Sequence, residues 1–150
     1  MRKRSLTFCL LLFFGTLFFQ AQPSLSNPSN SEADSTKLSN KIAVAAVGDS
    51  VNSNISKISG RAPYYLIFDG NGVFLKSIKN PAQSRGRRAS SGVIDLLLKE
   101  SCKTVIAGKF GDKMLSQLQA NKIDYYEREG IAQKVVQTFI QNKRSKNAQK

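Results

Sequence analysis

Arg61, Arg85, Arg87, Arg88 and Lys109 each sit in a short stretch of small residues, a combination suited to holding an anion. The stretches are Ser59-Gly60-Arg61-Ala62, Arg85-Gly86-Arg87-Arg88-Ala89-Ser90-Ser91-Gly92 and Gly108-Lys109-Phe110-Gly111. Guanidinium and ammonium groups supply charge, and small neighbours let backbone N–H groups approach a bulky ligand. Asp49, directly after Gly48, is a carboxylate in a comparable turn. The candidate ligand-binding set is therefore Asp49, Gly60, Arg61, Arg88, Gly92 and Lys109. Each has a plainer reading as well: a turn glycine, an exposed arginine, or, for Arg85, Arg87 and Arg88, a solvated loop in place of an anion clamp.

Other chemistries lack their residues. The chain contains no His, which removes the commonest metal ligand and the commonest general base. Of the two cysteines, Cys9 lies inside an apolar run and Cys102 precedes a predicted strand, at the edge away from the candidate set. Cys102 reads as a small core residue and Met114 as part of an apolar helical face. Ribonuclease-type catalysis needs several carboxylates converging on metal ions, and residues 41–47 contain none. Gly108-Lys109-Phe110-Gly111-Asp112-Lys113 lacks the Gly-Lys-Ser/Thr of a phosphate-binding P-loop. No nucleophile–base pair stands out, so the reading is a protein that is not an enzyme. Its metal ligands, if it has any, stay unassigned.

The elements that must position these residues follow from pattern. Lys41 to Val47 is small and β-branched and stops at Gly48-Asp49, a buried strand ended by turn residues. Pro63 biases Ala62 toward extended geometry and leads into a second strand, Tyr64 to Phe68. Asp69-Gly70-Asn71-Gly72 makes a hairpin to a third strand, Val73 to Lys79, which Asn80-Pro81 ends. Val93, Ile94, Leu97 and Leu98 recur at helical spacing, with Ser90 or Ser91 as the expected N-cap. Lys103 to Ala107 is a fourth strand; Asp112 is expected to cap a helix bearing Met114, Leu115 and Leu118. Ile123 to Glu127 is a fifth strand, and Ile131, Val135, Val136, Phe139 and Ile140 form the stripe of a last helix.

The order β-β-β-α-β-α-β-α makes the strands after helical crossovers parallel and the second strand antiparallel. The loops after the first, third, fourth and fifth strands, and the approach to the second, then share one edge with the first turns of all three helices. Helix N-termini present unpaired N–H groups and partial positive charge, which suits an anion. Ligands of open α/β sheets also bind at this carboxyl edge.

The Ile42-Ala43-Val44 strand, the run Gly60-Arg61-Ala62-Pro63-Tyr64, the Asn80-Pro81 exit and the order of elements together resemble the dinitrogenase iron–molybdenum cofactor-binding family. Its members are small domains that carry or help mature metal–sulfur cofactors. The resemblance spans residues 41 to about 142. It implies an α/β fold with a single mixed five-stranded sheet in the order 3-2-1-4-5, the second strand antiparallel, three helices, and ribonuclease-H-like architecture. It also implies an iron–sulfur or iron–molybdenum-type cluster as cofactor. Ile58-Ser59 stands where the family often has an aromatic residue, and Arg87-Arg88-Ala89-Ser90-Ser91-Gly92 replaces a Gly-rich run.

Arg2, Lys3 and Arg4 precede an apolar run from Phe8 to Phe19, too short to span a bilayer, where roughly 20 residues are needed. Residues 1–26 read as a signal peptide, with an uncleaved anchor as the alternative, and residues 27–40 as a polar linker. The domain is expected over 41–142, followed by a basic tail at 143–150. The whole chain has a formal charge of +13; without residues 1–26, which hold three basic residues and no acidic one, it is +10. For an exported protein, periplasmic or extracellular, this charge points to an anionic cofactor or an anionic envelope component, and nucleic acid is not the expected partner.

Overall fold

The computed structural model describes residues 40–84 and 88–149. Residues 1–39, read above as a signal peptide and most of a linker, and Arg85 and Arg87 therefore lie outside the described residues. Five strands, β1 (Lys41–Ala46), β2 (Tyr64–Phe68), β3 (Phe74–Lys79), β4 (Cys102–Ala107) and β5 (Asp124–Glu127), form one sheet in the order β3-β2-β1-β4-β5. β2 is antiparallel to β1 and β3, whereas β1 pairs with β4 and β4 with β5 in parallel. The helices are α1 (Ala89–Lys99), α2 (Asp112–Ala120) and α3 (Ala132–Ala148). The mixed five-stranded sheet and the three helices are those expected from the pattern of elements, and the strand order is the one the family resemblance implied.

β1 is buried on both faces because its side chains alternate between two cores. Ala43 and Ala45 join Tyr65, Ile67, Val105 and the apolar sides of α1 and α2. Ile42, Val44 and Ala46 join Leu66, Phe68, Ile106 and the Ala132, Val136 and Ile140 stripe of α3. Small residues on one face of β1 leave room for two helices there; larger ones on the other face meet a single helix.

The hairpin between β2 and β3 shows how local chemistry locks the layers. The Asp69 carboxylate accepts from Asn71 and Val73 N–H groups, both at 2.8 Å. Gly72 has a φ of +86°, so the turn needs glycine for its conformation; an added Cβ would lie 2.8 Å from Ile140 Cδ1, which places the turn against α3.

Several local expectations are corrected. Arg88, not Ser90 or Ser91, is the N-cap of α1; the two serines fall inside the first turn, and Ser91 Oγ accepts a hydrogen bond from Gln117 Nε2 at 3.2 Å. Gly111 is the N-cap of α2, its carbonyl taking the N–H groups of Met114 and Leu115, and Asp112 is the first helical residue. Residues 143–148, expected as a tail beyond the domain, continue α3. Nothing in that run breaks a helix: it has no Pro or Gly and is rich in good helix formers.

Candidate functional site

The carboxyl edge of the sheet is organised around a short 3-10 turn, Ser59–Arg61, between β1 and β2. Its supports are buried and polar. The Tyr65 hydroxyl donates to the Ser59 carbonyl at 2.8 Å, which leaves Ser59 Oγ, 2.9 Å away, to donate to the tyrosine oxygen. Burial raises the Tyr65 pKa well above its ordinary value, so this phenol stays protonated and able to donate. Asn80, 4% exposed, donates from Nδ2 to the Ala62 carbonyl at 2.8 Å and accepts from the Ala82 N–H at 2.9 Å. The turn is thus held by one side chain from β2 and one from the residue that follows β3.

A backbone seam ties this turn to the loop after β4. Gly108 N–H donates to the Ser56 carbonyl at 2.9 Å, and Ser59 N–H donates to the Lys109 carbonyl at 3.0 Å. A Cβ on Gly108 would lie 2.9 Å from both Cα and O of Lys57, so only glycine permits the seam. On its other side the turn meets α1: a Cβ on Gly60 would sit 3.6 Å from that of Ala89.

Gly60, Arg61, Arg88, Gly92 and Lys109 are therefore gathered where the turn meets the starts of α1 and α2. Arg61, Arg88 and Lys109 are exposed, with Lys57 and Lys113 exposed nearby in sequence. The only ion pair among the described residues is Lys76–Glu100, away from this group at 2.7 Å. The N–H groups of Asp112 and Lys113 meet no acceptor among the described residues, as expected of a first helical turn. Arg85 and Arg87 lie outside the described residues.

Asp49 is not brought to this group by any contact. It lies exposed in the turn after β1, whose Val51 and Ile55 anchor it on the α3 side of the sheet. That loop also changes the expected use of the helix starts. The Ser53 and Val51 carbonyls accept the N–H groups of Ala132 and Gln133, each at 3.0 Å. The α3 N-terminus is consequently filled by the protein's own backbone, and two helix starts, not three, face the candidate site.

The donor set suits an anion held by charge and hydrogen bonds. It does not suit a cluster ligated by protein side chains: among the described residues no three His, Cys, Asp or Glu side chains gather. Cys102 opens β4 at the opposite edge and is 2% exposed. Burial, and to a lesser degree Glu100, pushes its thiol up to about 12, so it remains a thiol, not a thiolate ligand.

Sequence reasoning missed the supporting residues. Asn80-Pro81 carried a signal, but only for the end of a strand; the second role of Asn80 depends on contacts eighteen residues away. Gly108 was visible as a strand stop, while its need for close approach arises from the fold.

Comparison with known proteins finds the same fold. The apo form of the orange protein from Desulfovibrio gigas matches with 26% identity and a TM-score of 0.64, over 68% of this chain and 88% of that one. A NifB-like Thermotoga protein of the DUF35 family shares the fold at 21% identity and a TM-score of 0.58, over 67% of this chain and 86% of that one. A dinitrogenase-like protein from Methanocaldococcus jannaschii does so at 20% identity and a TM-score of 0.51, over 68% and 88%. A comparison with curated proteins found no match. The dinitrogenase iron-molybdenum cofactor family model matches residues 40–142, and the chain belongs to that family.

Proposed function

We propose that this protein is a non-enzymatic carrier that binds an anionic metal–sulfur cofactor at the carboxyl edge of its sheet. The observation that carries this reading is the seam joining Ser56–Ser59 to Gly108–Lys109, which fixes a basic turn between two helix starts. Positive partial charge and free N–H donors at helix starts favour an anion, and Arg61, Arg88 and Lys109 add formal charge. Such a cofactor brings the metal; the chain binds it, orients it and screens its charge without ligating it.

The test is a titration of the purified protein with tetrathiomolybdate, a coloured molybdenum–sulfur dianion, followed by its absorption. Saturable binding lost in Arg61→Ala or Lys109→Ala supports the reading, and sulfate at equal ionic strength should compete weakly. Metal and sulfide analysis of protein purified without oxygen supplies the native counterpart. Absence of both metal and thiomolybdate binding would turn the choice to the second reading.

That second reading is an interaction module that binds an anionic envelope component through the same basic surface. The lack of a ligating side chain favours it. In either case we infer export, from the basic start and short apolar run at residues 2–19. An intact Met1 on native protein in the cytoplasmic fraction, read by mass spectrometry, would contradict that.

A further inference from the structure

The two faces of the sheet are covered unequally. α1 and α2 share one core, whereas α3 alone packs on the other, against β2, β1 and Ile106 of β4. β5 is left at the margin, with Tyr126 only partly buried beside Phe139 at a ring separation of 4.7 Å. Between β5 and the flank of α3 runs a groove of about 710 Å³.

Two rows of α3 side chains at i, i+4 spacing line this groove. The inner row is Ile131, Val135 and Phe139, half-buried and apolar, ending in Lys143. The outer row, Lys134, Thr138, Asn142 and Lys146, is exposed and begins and ends in lysine. From Lys134 to Lys146 the row extends about 18 Å, a little over three helical turns. Lys143 and Lys146, beyond the residues 40–142 that the family model matches, extend the groove and add charge to it.

We propose that this groove is a docking site for an acidic amphipathic helix of a partner protein, lying along α3 over β5. Ridges at i, i+4 on one helix receive those of another, and the place over β5 is where a second helix of this layer would pack. Charge selects the partner's sign. α3 carries Lys134, Lys143, Arg144 and Lys146 and no acidic residue, and Arg128 adds to the rim, against Asp124 and Glu129 at the groove ends.

The same features disfavour other occupants. A second copy offering its own α3 would set cation against cation. A strand added to β5 would find few free backbone groups: Arg128 N–H points to β4, so by alternation only Tyr125 and Glu127 face outward. Asp124 and Glu127 flank that short edge with negative charge, as guarded edge strands do. A bilayer needs protruding apolar groups, and here the apolar row is recessed behind the lysines.

The test uses the full chain, isotope-labelled, and a synthetic amphipathic peptide of about fourteen residues, four turns, with leucine at i, i+4 positions and glutamate flanks. Saturable binding should move the amide signals of Tyr126, Val135 and Phe139. The exposed double variant Lys143→Glu/Lys146→Glu should weaken it about tenfold or more and favour a lysine-flanked peptide instead. Equal binding by a scrambled peptide, no effect of the double variant, or no saturable binding at millimolar peptide overturns the proposal. So would signal changes on simple dilution, which would mark a dimer, or charge-dependent binding to phosphatidylglycerol vesicles with the peptide ignored.

Discussion

Asn80 Nδ2 donates to the Ala62 carbonyl at 2.8 Å, joining the end of β3 to the residue that leads into β2. With the Asn80 N–H bonded to the Pro63 carbonyl at 2.8 Å, it closes the base of the β2–β3 hairpin and holds the Ser59–Arg61 turn from below. Arg61 is an exposed side chain on a turn whose position is set by a buried amide.

Asn80→Ala leaves the Ala62 carbonyl and the Ala82 N–H without their side-chain partner in a buried place. A loss of about 1–3 kcal/mol is expected, the usual cost of an unsatisfied buried group. Urea unfolding measures it. Anion binding should fall further than Arg61→Ala alone explains, because both Gly60 and Arg61 would be released.

Gly108→Ala tests the seam. A Cβ placed 2.9 Å from Lys57 backbone atoms cannot be relieved by a side-chain rotation, so the Lys57–Ser59 segment must move away from Lys109. Gly111, where a Cβ meets nothing within 4 Å, is the control. Gly108→Ala should lower stability strongly and abolish saturable anion binding, while Gly111→Ala should leave binding near wild type and cost only the N-cap preference of glycine over alanine, about 1 kcal/mol or less. Equal effects of the two would show that the seam is not what orders the site.

How much of this was legible in the sequence depends on range. Strands and helices were, because the continuous apolar run Tyr64–Phe68 behind Pro63 and the helical spacing of Val93, Ile94 and Leu97 are local signals. Helix starts were legible to within one to three residues, but not their caps: a glycine carbonyl at 111 and the Arg88 position displaced the serines and Asp112 that capping preferences favour. The filling of the α3 start by the Val51 and Ser53 carbonyls was not legible, since backbone acceptors carry no residue type. The candidate residues Gly60, Arg61 and Lys109 carry a local signal, charge beside small residues; Asn80, Tyr65 and Gly108 act through long-range contacts that no spacing encodes.

Cys102 and Tyr65 give the fold a calculable alkaline weakness. Both have folded pKa values raised by burial: Cys102 from 9.0 to about 12, and Tyr65 upward from 10.0. A raised acid pKa means the folded state favours the neutral form. The stability it contributes is fully present below the unfolded pKa and is lost as pH rises through the folded one. The melting temperature should therefore hold steady to about pH 8.5 and fall from there toward pH 12. Cys102→Ala should flatten the early part of that fall, at a cost of about 1 kcal/mol for the lost volume. It should leave any bound metal unchanged, since the thiol lies at the far edge from the proposed anion site.

Asp112 offers the most direct test of the electrostatics. It is the first residue of α2, next to the N–H groups argued to face the anion, and its carboxylate already neutralises part of the helix-start charge. Asp112→Asn removes that competing charge while keeping size and shape. Thiomolybdate should bind more tightly to Asp112→Asn, by a factor of about 2 to 5, given the 0.3–1 kcal/mol typical of a helix-end charge. Arg61→Ala and Lys109→Ala should each weaken binding, and added salt should shrink all three differences together. Removing residues 143–150 should change anion binding little, because that end of α3 lies on the opposite face from α1 and α2. If truncation abolishes binding while the substitutions at Arg61, Lys109 and Asp112 do nothing, the anion is held by the basic end of α3, and the site at the Ser59–Arg61 turn is refuted.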